Sequence, residues 1–248
     1  MKDSVVVVTG ASGGIGAAVA ELVAQRGARP VLLARRDKEL RAAAARSGPA
    51  ALPIVTDMTQ RPEVERAVAS AQAHFGRIDV WINNVERGIT RPVSELTDED
   101  LDEMMRINVK SALYGMQAVL PHFRARGQGH IINVSSMLSR LPYAPARSAY
   151  SAAKHALNAL TANLRMELKA QHPGILVSSV HPGVVATDFG LNARHGGVDS
   201  RQIPGGQTAA QVAAVIVELI EHPRADVYTR HGAQQMVVAY YAAEDRSQ

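Results

Sequence analysis

What most limits the folds open to this chain is a rhythm: short apolar runs rich in β-branched residues alternate with longer stretches of helical pattern. The runs are Val5 to Thr9, Pro30 to Ala34, Leu52 to Thr56, Ile78 to Asn83, His130 to Ser135, Leu176 to His181 and Val227 to Thr229. Between them lie helical patterns over Ile15 to Arg26, Lys38 to Ser47, Pro62 to Phe75, Asp98 to Phe123, Ala149 to Ala170 and Ala209 to Glu221. Parallel strands need crossovers of that length. The alternation therefore predicts an α/β chain, a doubly wound parallel sheet of about seven strands with helices on both faces. Thr97 with Asp100 and Thr208 with Gln211 each read as a capping box at a helix start, and Pro223 closes the second of those helices.

The 248 residues suit a single domain over 1–248. A composition 46% hydrophobic and 20% charged is globular. The longest apolar runs fall short of the roughly 18 residues that a membrane helix needs, so no membrane partner is expected. Val5 to Val8, broken at once by Thr9-Gly10, is too short for a signal-peptide core, which leads us to expect a cytoplasmic protein. The absence of cysteine removes disulfides, thiolate metal sites and cysteine nucleophiles together, and no metal site is expected. A net charge of +4 raises the question of nucleic acid, but the arginines are scattered and only 4% of residues are aromatic, so no nucleic-acid partner is expected.

The stretch VTGASGGIG follows the first strand and opens the first helix. Gly10, Gly14 and Gly16 fall where the backbone must turn tightly and approach a ligand, and the free N–H groups of the helix start favour a pyrophosphate. Ser12 adds a hydroxyl. The second strand ends in LLARRD, with Arg35 where a dinucleotide fold uses an acid to read a ribose 2′-hydroxyl, and Arg36 next to it. Two guanidiniums suit a 2′-phosphate. The expected cofactor is NADP(H), with NAD(H) as the other option. Asp57, in TDMT, either accepts from the adenine amino group or caps the following helix.

SAYSAAKHAL places Tyr150 and Lys154 four apart on one helical face. A phenol beside an ammonium ionises more readily than an ordinary tyrosine, whose pKa is about 10, which suits it to proton transfer. HIINVSSML brings Ser135 and Ser136 to the C-terminal end of a strand, the edge where such sheets bind ligands. Asn108 lies on the apolar stripe of Leu101, Met104, Met105 and Ala112; it is either satisfied by nearby backbone or part of a relay holding water beside Lys154. The aperiodic stretch 188–207 is long enough to be functional.

Taken together, T-G-x-x-x-G-x-G, N-N at the fourth strand, a helical Asn, S-S, Y-x-x-x-K and P-G-x-x-x-T, in that order, resemble the short-chain dehydrogenase/reductase family, from Val5 to about Tyr241. The resemblance implies a compact, Rossmann-like, single-domain oxidoreductase: a short-chain alcohol dehydrogenase or carbonyl reductase acting on a small-molecule substrate. It implies that Ser136 orients the carbonyl, Tyr150 exchanges its proton, Lys154 lowers the tyrosine pKa and holds the nicotinamide ribose, and Asn108 completes a proton relay. It places Gly10, Ser12, Gly13, Gly14, Ile15, Gly16, Arg35, Arg36, Asp57, Met58, Asn83, Asn84, Val85, Pro182, Gly183, Val185 and Thr187 at the coenzyme, with Tyr150 and Lys154. Residues 188–207 become a substrate lid with Phe189, Leu191 and His195 as contacts, facing Leu138, Leu141 and Tyr143. A homodimer or homotetramer is implied, and the apolar stretch Val237 to Tyr240 suits either an interface or the core.

One position departs from the family pattern. Where that pattern reads N-N-A-G, this chain has Asn83-Asn84-Val85-Glu86. A carboxylate there faces an anionic coenzyme, so the expectation is that Glu86 points outward and pairs with Arg87 or Arg91, with Gly88 supplying the lost flexibility. The alternative function is a catalytically weak NADP-binding sensor or interaction protein.

Overall fold

The computed structural model describes residues 1–244. Its seven strands form one parallel sheet in the order β3-β2-β1-β4-β5-β6-β7. They are β1 (Val5–Thr9), β2 (Arg29–Ala34), β3 (Leu52–Val55), β4 (Val80–Asn83), β5 (Gly129–Val134), β6 (Ile175–His181) and β7 (Asp226–Tyr228). The helices are α1 (Gly14–Gln25), α2 (Asp37–Arg46), α3 (Arg61–Phe75), α4 (Asp98–Met105), α5 (Ser111–Arg126), α6 (Ser148–Gln171), α7 (Ala209–Glu221) and α8 (Ala233–Ala242).

The period of two in β1 divides the core. Val6 and Val8 face the layer that holds Val19 and Val23 of α1 and Val212 and Ile216 of α7. Val5 and Val7 face the other layer, with Val64 and Val68 of α3 and Met116, Val119 and Phe123 of α5. Strand order reverses between β1 and β4, which opens a crevice at their C-terminal ends, the usual ligand position in such sheets. Both capping boxes form, at Thr97–Asp100 and Thr208–Gln211.

Some expected element boundaries are corrected. The pattern from Asp98 to Phe123 is not one helix: a wide π turn over Arg106–Lys110 separates α4 from α5. Such turns recur at functional sites, and Asn108 is at its centre. The fourth strand begins at Val80 rather than Ile78. The apolar stretch near Val237 belongs to α8, with Val237 buried and Val238 62% exposed, so it serves both the core and the surface.

Candidate active site

The β1–α1 turn is made of backbone. Gly10 and Gly14 have φ of 67° and 53°, the left-handed region that glycine alone enters freely. A Cβ on Gly16 would lie 2.5 Å from the Gly10 carbonyl oxygen and 2.7 Å from Asn84 Nδ2, so Gly16 lets the helix pack onto the turn rather than lining the groove. No side chain caps α1, which leaves its first N–H groups to a ligand. They open on a groove of about 480 Å³ lined by Ser12, Gly13, Arg35, Arg36, Asp57 and Asn84, among others. Arg36 Nη2 donates to Ser12 Oγ at 3.0 Å, bringing a cation to the mouth of the turn. A cradle without Cβ atoms, free N–H donors and two guanidiniums fits a phosphate-bearing dinucleotide.

Other residues expected at the coenzyme divide. Ile15, Met58, Val85 and Thr187 line the groove. Asp57 accepts from the backbone N–H and the hydroxyl of Thr59, so it braces its own turn, and the residue preceding α3 is Gln60. Asn84 ties β4 to β1, donating from its backbone N–H to Thr9 Oγ1 at 2.8 Å and from Nδ2 to Thr9 O at 3.1 Å. Asn83 is a correction, because its side chain points into the core rather than toward the groove. It accepts from Trp81 Nε1 at 2.7 Å and donates to Asn133 Oδ1 at 2.8 Å, and Asn133 donates on to Thr161 Oγ1 at 2.8 Å. This buried chain of amides holds the ends of β4 and β5 against α6. Asn133 and Thr161 carried no motif, and the sequence reading missed them.

At the inner end of the groove, α6 delivers Tyr150 and Lys154. Lys154 is 1% exposed and donates to Val134 O at 2.9 Å. Ser136 lies on the same cavity wall as Tyr150, its Oγ accepting from Leu138 N at 3.1 Å, while Ser135 is buried with no partner for its hydroxyl. Asn108 clasps the loop after β4: its Oδ1 accepts from Arg87 N at 3.1 Å, and its Nδ2 donates to Arg87 O and Met104 O, both at 3.0 Å. Nearby backbone thus satisfies the side chain, the simpler of the two readings.

The loop so held carries Glu86, and here the expectation fails. Glu86 points inward: Tyr150 donates its hydroxyl to Glu86 Oε2 at 3.0 Å, and Lys154 Nζ lies 3.1 Å from the same oxygen. Arg87 is instead taken by Glu103, and Arg91 by Asp100. Nor is the backbone strained, since Asp3 and His195 are the non-glycine residues with positive φ among the described residues. Gly88 is required for closeness rather than flexibility; a Cβ there would meet Phe189 at 2.8 Å. The expected lowering of the Tyr150 pKa is reversed: burial first, then the Glu86 charge, push the phenol well above its ordinary range, and the Ser136 hydrogen bond opposes them.

Beyond Tyr150 lies a second, mostly apolar cavity of about 540 Å³. Leu138, Leu141 and Tyr143 form one wall, and Pro182, Gly183, Val185 and Thr187 another. From the 188–207 stretch Phe189 enters, its ring 5.2 Å from that of Tyr150, with Arg147 stacked 5.5 Å from its centre. The other two proposed contacts do not line the cavity. Leu191 is 51% exposed, and His195 Nε2 lies 2.7 Å from Asp100 Oδ1. Asp100, read only as a cap, is fully buried; burial disfavours its charge, but His195, the Thr97 backbone, Arg194 and Arg91 outweigh that and hold its carboxyl far below the usual range. Arg194 also binds Glu103, so α4 pins the 188–207 stretch. Among the described residues no cluster suited to a metal ion occurs, and no helix is long and apolar enough to cross a membrane.

Comparison with known proteins agrees with this geometry. An uncharacterized oxidoreductase of Bacillus subtilis, YxnA, is 32% identical over 98% of this chain and 69% of its own length. A solved short chain dehydrogenase of Burkholderia cenocepacia in complex with NADP is 29% identical, with a TM-score of 0.83, covering 97% of this chain and 94% of that one. One from Burkholderia phymatum, in complex with NAD, reaches a TM-score of 0.88 at 23% identity, covering 97% and 93%, and speaks to the fold. The family model described as short chain dehydrogenase matches residues 4–196. With the sheet order, the glycine turn and the Ser136–Tyr150–Lys154 grouping already in place, that match is decisive: the chain belongs to the short chain dehydrogenase family of oxidoreductases.

Proposed function

We propose that the protein is an NADP(H)-dependent carbonyl reductase or alcohol dehydrogenase, with Tyr150 as general acid/base. The observation that carries this reading is that Ser136 and Tyr150 line the apolar cavity of about 540 Å³ at its junction with the groove of about 480 Å³, with Lys154 held beside Tyr150 through Glu86, which lines both. Arg35 and Arg36 at the far end of the groove support the phosphorylated coenzyme, and the B. cenocepacia relative was solved with NADP.

The α1 turn and the two arginines bind and orient the coenzyme, and Lys154 and Tyr150 meet its inner end. When bound, the coenzyme supplies or accepts the hydride. Ser136 donates to the substrate oxygen and fixes its position; Tyr150 gives a proton to that oxygen in reduction or takes it in oxidation. Phe189 and the latched lid cover the pair and exclude water. A small molecule with an apolar body suits the cavity, and assembly as a dimer or tetramer in the cytoplasm belongs to the same reading.

The test is turnover of NADPH with a panel of ketones and aldehydes, followed by nicotinamide absorbance. Tyr150→Phe is expected to lower kcat/KM by about 10²- to 10⁴-fold, the usual worth of a general acid, with NADPH affinity retained. Turnover unchanged in that variant removes Tyr150 from the mechanism. One observation favours a second reading, a coenzyme-binding protein with little catalysis: Glu86 occupies both Tyr150 and Lys154. NADPH binding without turnover across the panel selects it.

A further inference from the structure

Glu86 stands where the two cavities join and lines both. It is the one acidic side chain on the wall of the substrate cavity among the described residues, where Arg147, Arg230 and His231 are the basic ones. Around it, α6 contributes Tyr150 and Lys154, Arg147 stands just before α6, and its own loop contributes Arg87, which is held by Glu103 of α4. Asp188 lies further along the groove wall, with Arg35 and Arg36. The groups in contact with its carboxylate are Tyr150 and Lys154, both through Oε2. Asn108 fixes the neighbouring backbone from two sides, so a change at this point is a swing of the side chain, not of the loop.

We infer that Glu86 is a tuning residue of the catalytic pair: seated on both donors, its carboxylate holds the phenol proton and competes with an incoming coenzyme for Lys154. This rests on the reading of Tyr150 and Lys154 as that pair. Two physical consequences follow from one charge. The ammonium of Lys154 is spent on a carboxylate rather than on stabilising a phenolate, and the upward push on Tyr150 from burial is reinforced by Glu86. A polyanionic coenzyme entering the groove also meets a like charge at its inner end, which repels it. Side-chain exposure of 23% leaves the carboxylate room to be displaced toward the open cavity.

Glu86→Gln keeps the shape and removes the charge; Glu86→Gly removes the side chain. The NADPH dissociation constant is measured by calorimetry, and Tyr150 ionisation by tyrosinate absorbance against Tyr150→Phe in each background. Both variants are expected to bind NADPH about tenfold more tightly and to ionise Tyr150 at least about one pH unit lower, one unit being a tenfold change in equilibrium. Affinity and ionisation both unchanged, or affinity weakened in both variants, overturn the inference. If no variant binds NADPH or NADH yet the tyrosine titration shifts, the coenzyme reading fails while the tuning of Tyr150 by Glu86 stands.

Discussion

The groove begins at the β1–α1 turn and ends at Glu86, beside Tyr150, and its two ends are built by different means. The outer end is backbone: two glycines at positive φ, a third pressed against a carbonyl, and helix N–H groups with no side-chain cap. At Gly10 and Gly16 it has little latitude, because a Cβ there would meet main chain. The inner end is side chain and charge: a phenol, an ammonium and a carboxylate share one oxygen within hydrogen-bonding distance. Such a cluster has alternatives, since removing one charge repartners the other two. The difference teaches that the glycine turn is rigidly specified, whereas the charge cluster is adjustable by a single substitution.

The strongest way to break this comparison is at Gly16. Gly16→Val would push branched carbons into the Gly10 carbonyl, which a single Cβ already approaches at 2.5 Å. We expect coenzyme binding to fall below detection in calorimetry and stability to drop by about 3 kcal/mol, the upper range for overpacking. Retained NADPH affinity in a folded Gly16→Val protein would show the outer end to be as adaptable as the inner one.

The same division explains what could be read from the sequence. The turn was legible because its chemistry is carried by residue type: glycine where φ is positive, no Cβ where the chain closes. The sheet was legible from its period, as were both capping boxes. Asn83 and Asn84 were nominated together, although the period of two already separates them; Asn83 shares a face with buried Trp81, and Asn84 lies beyond the strand. Glu86 was not legible, because its direction depends on where α6 puts Tyr150 and Lys154, 64 and 68 positions further on. The π turn around Asn108 was hidden for a similar reason. The stripe of apolar residues continues through it, and the partner that uses the amide, the Arg87 backbone, comes from another segment.

A smaller effect is expected at the rim of the outer end, where side chains take over from backbone. Arg36 donates to Ser12 and precedes α2, and its side chain is 55% exposed. Arg36→Asp puts a good capping residue at that position, so the fold is expected to hold. A hydrogen bond to a charged group is worth about 1.5–3 kcal/mol, reduced by exposure, and we expect the ratio of kcat/KM for NADPH to that for NADH to fall about tenfold. An unchanged ratio would mean that the arginine pair is only surface charge.

The finest contrast is inside the lid. The stretch 188–207 offered Phe189, Leu191 and His195 as equals, but the fold gives them different work: Phe189 lies against Tyr150, His195 joins the Asp100 latch, and Leu191 faces solvent. Phe189→Ala opens the cover over Tyr150 and is expected to raise KM several-fold for the best ketone of the panel. Leu191→Ser removes apolar surface that already meets water and lies outside the cavity lining, so KM is expected to stay unchanged, and stability to stay within about 0.5 kcal/mol. A larger rise for Leu191→Ser than for Phe189→Ala would mean that the lid closes over substrate by turning Leu191 inward, and the inner end would then be adjustable in its backbone as well as in its charges.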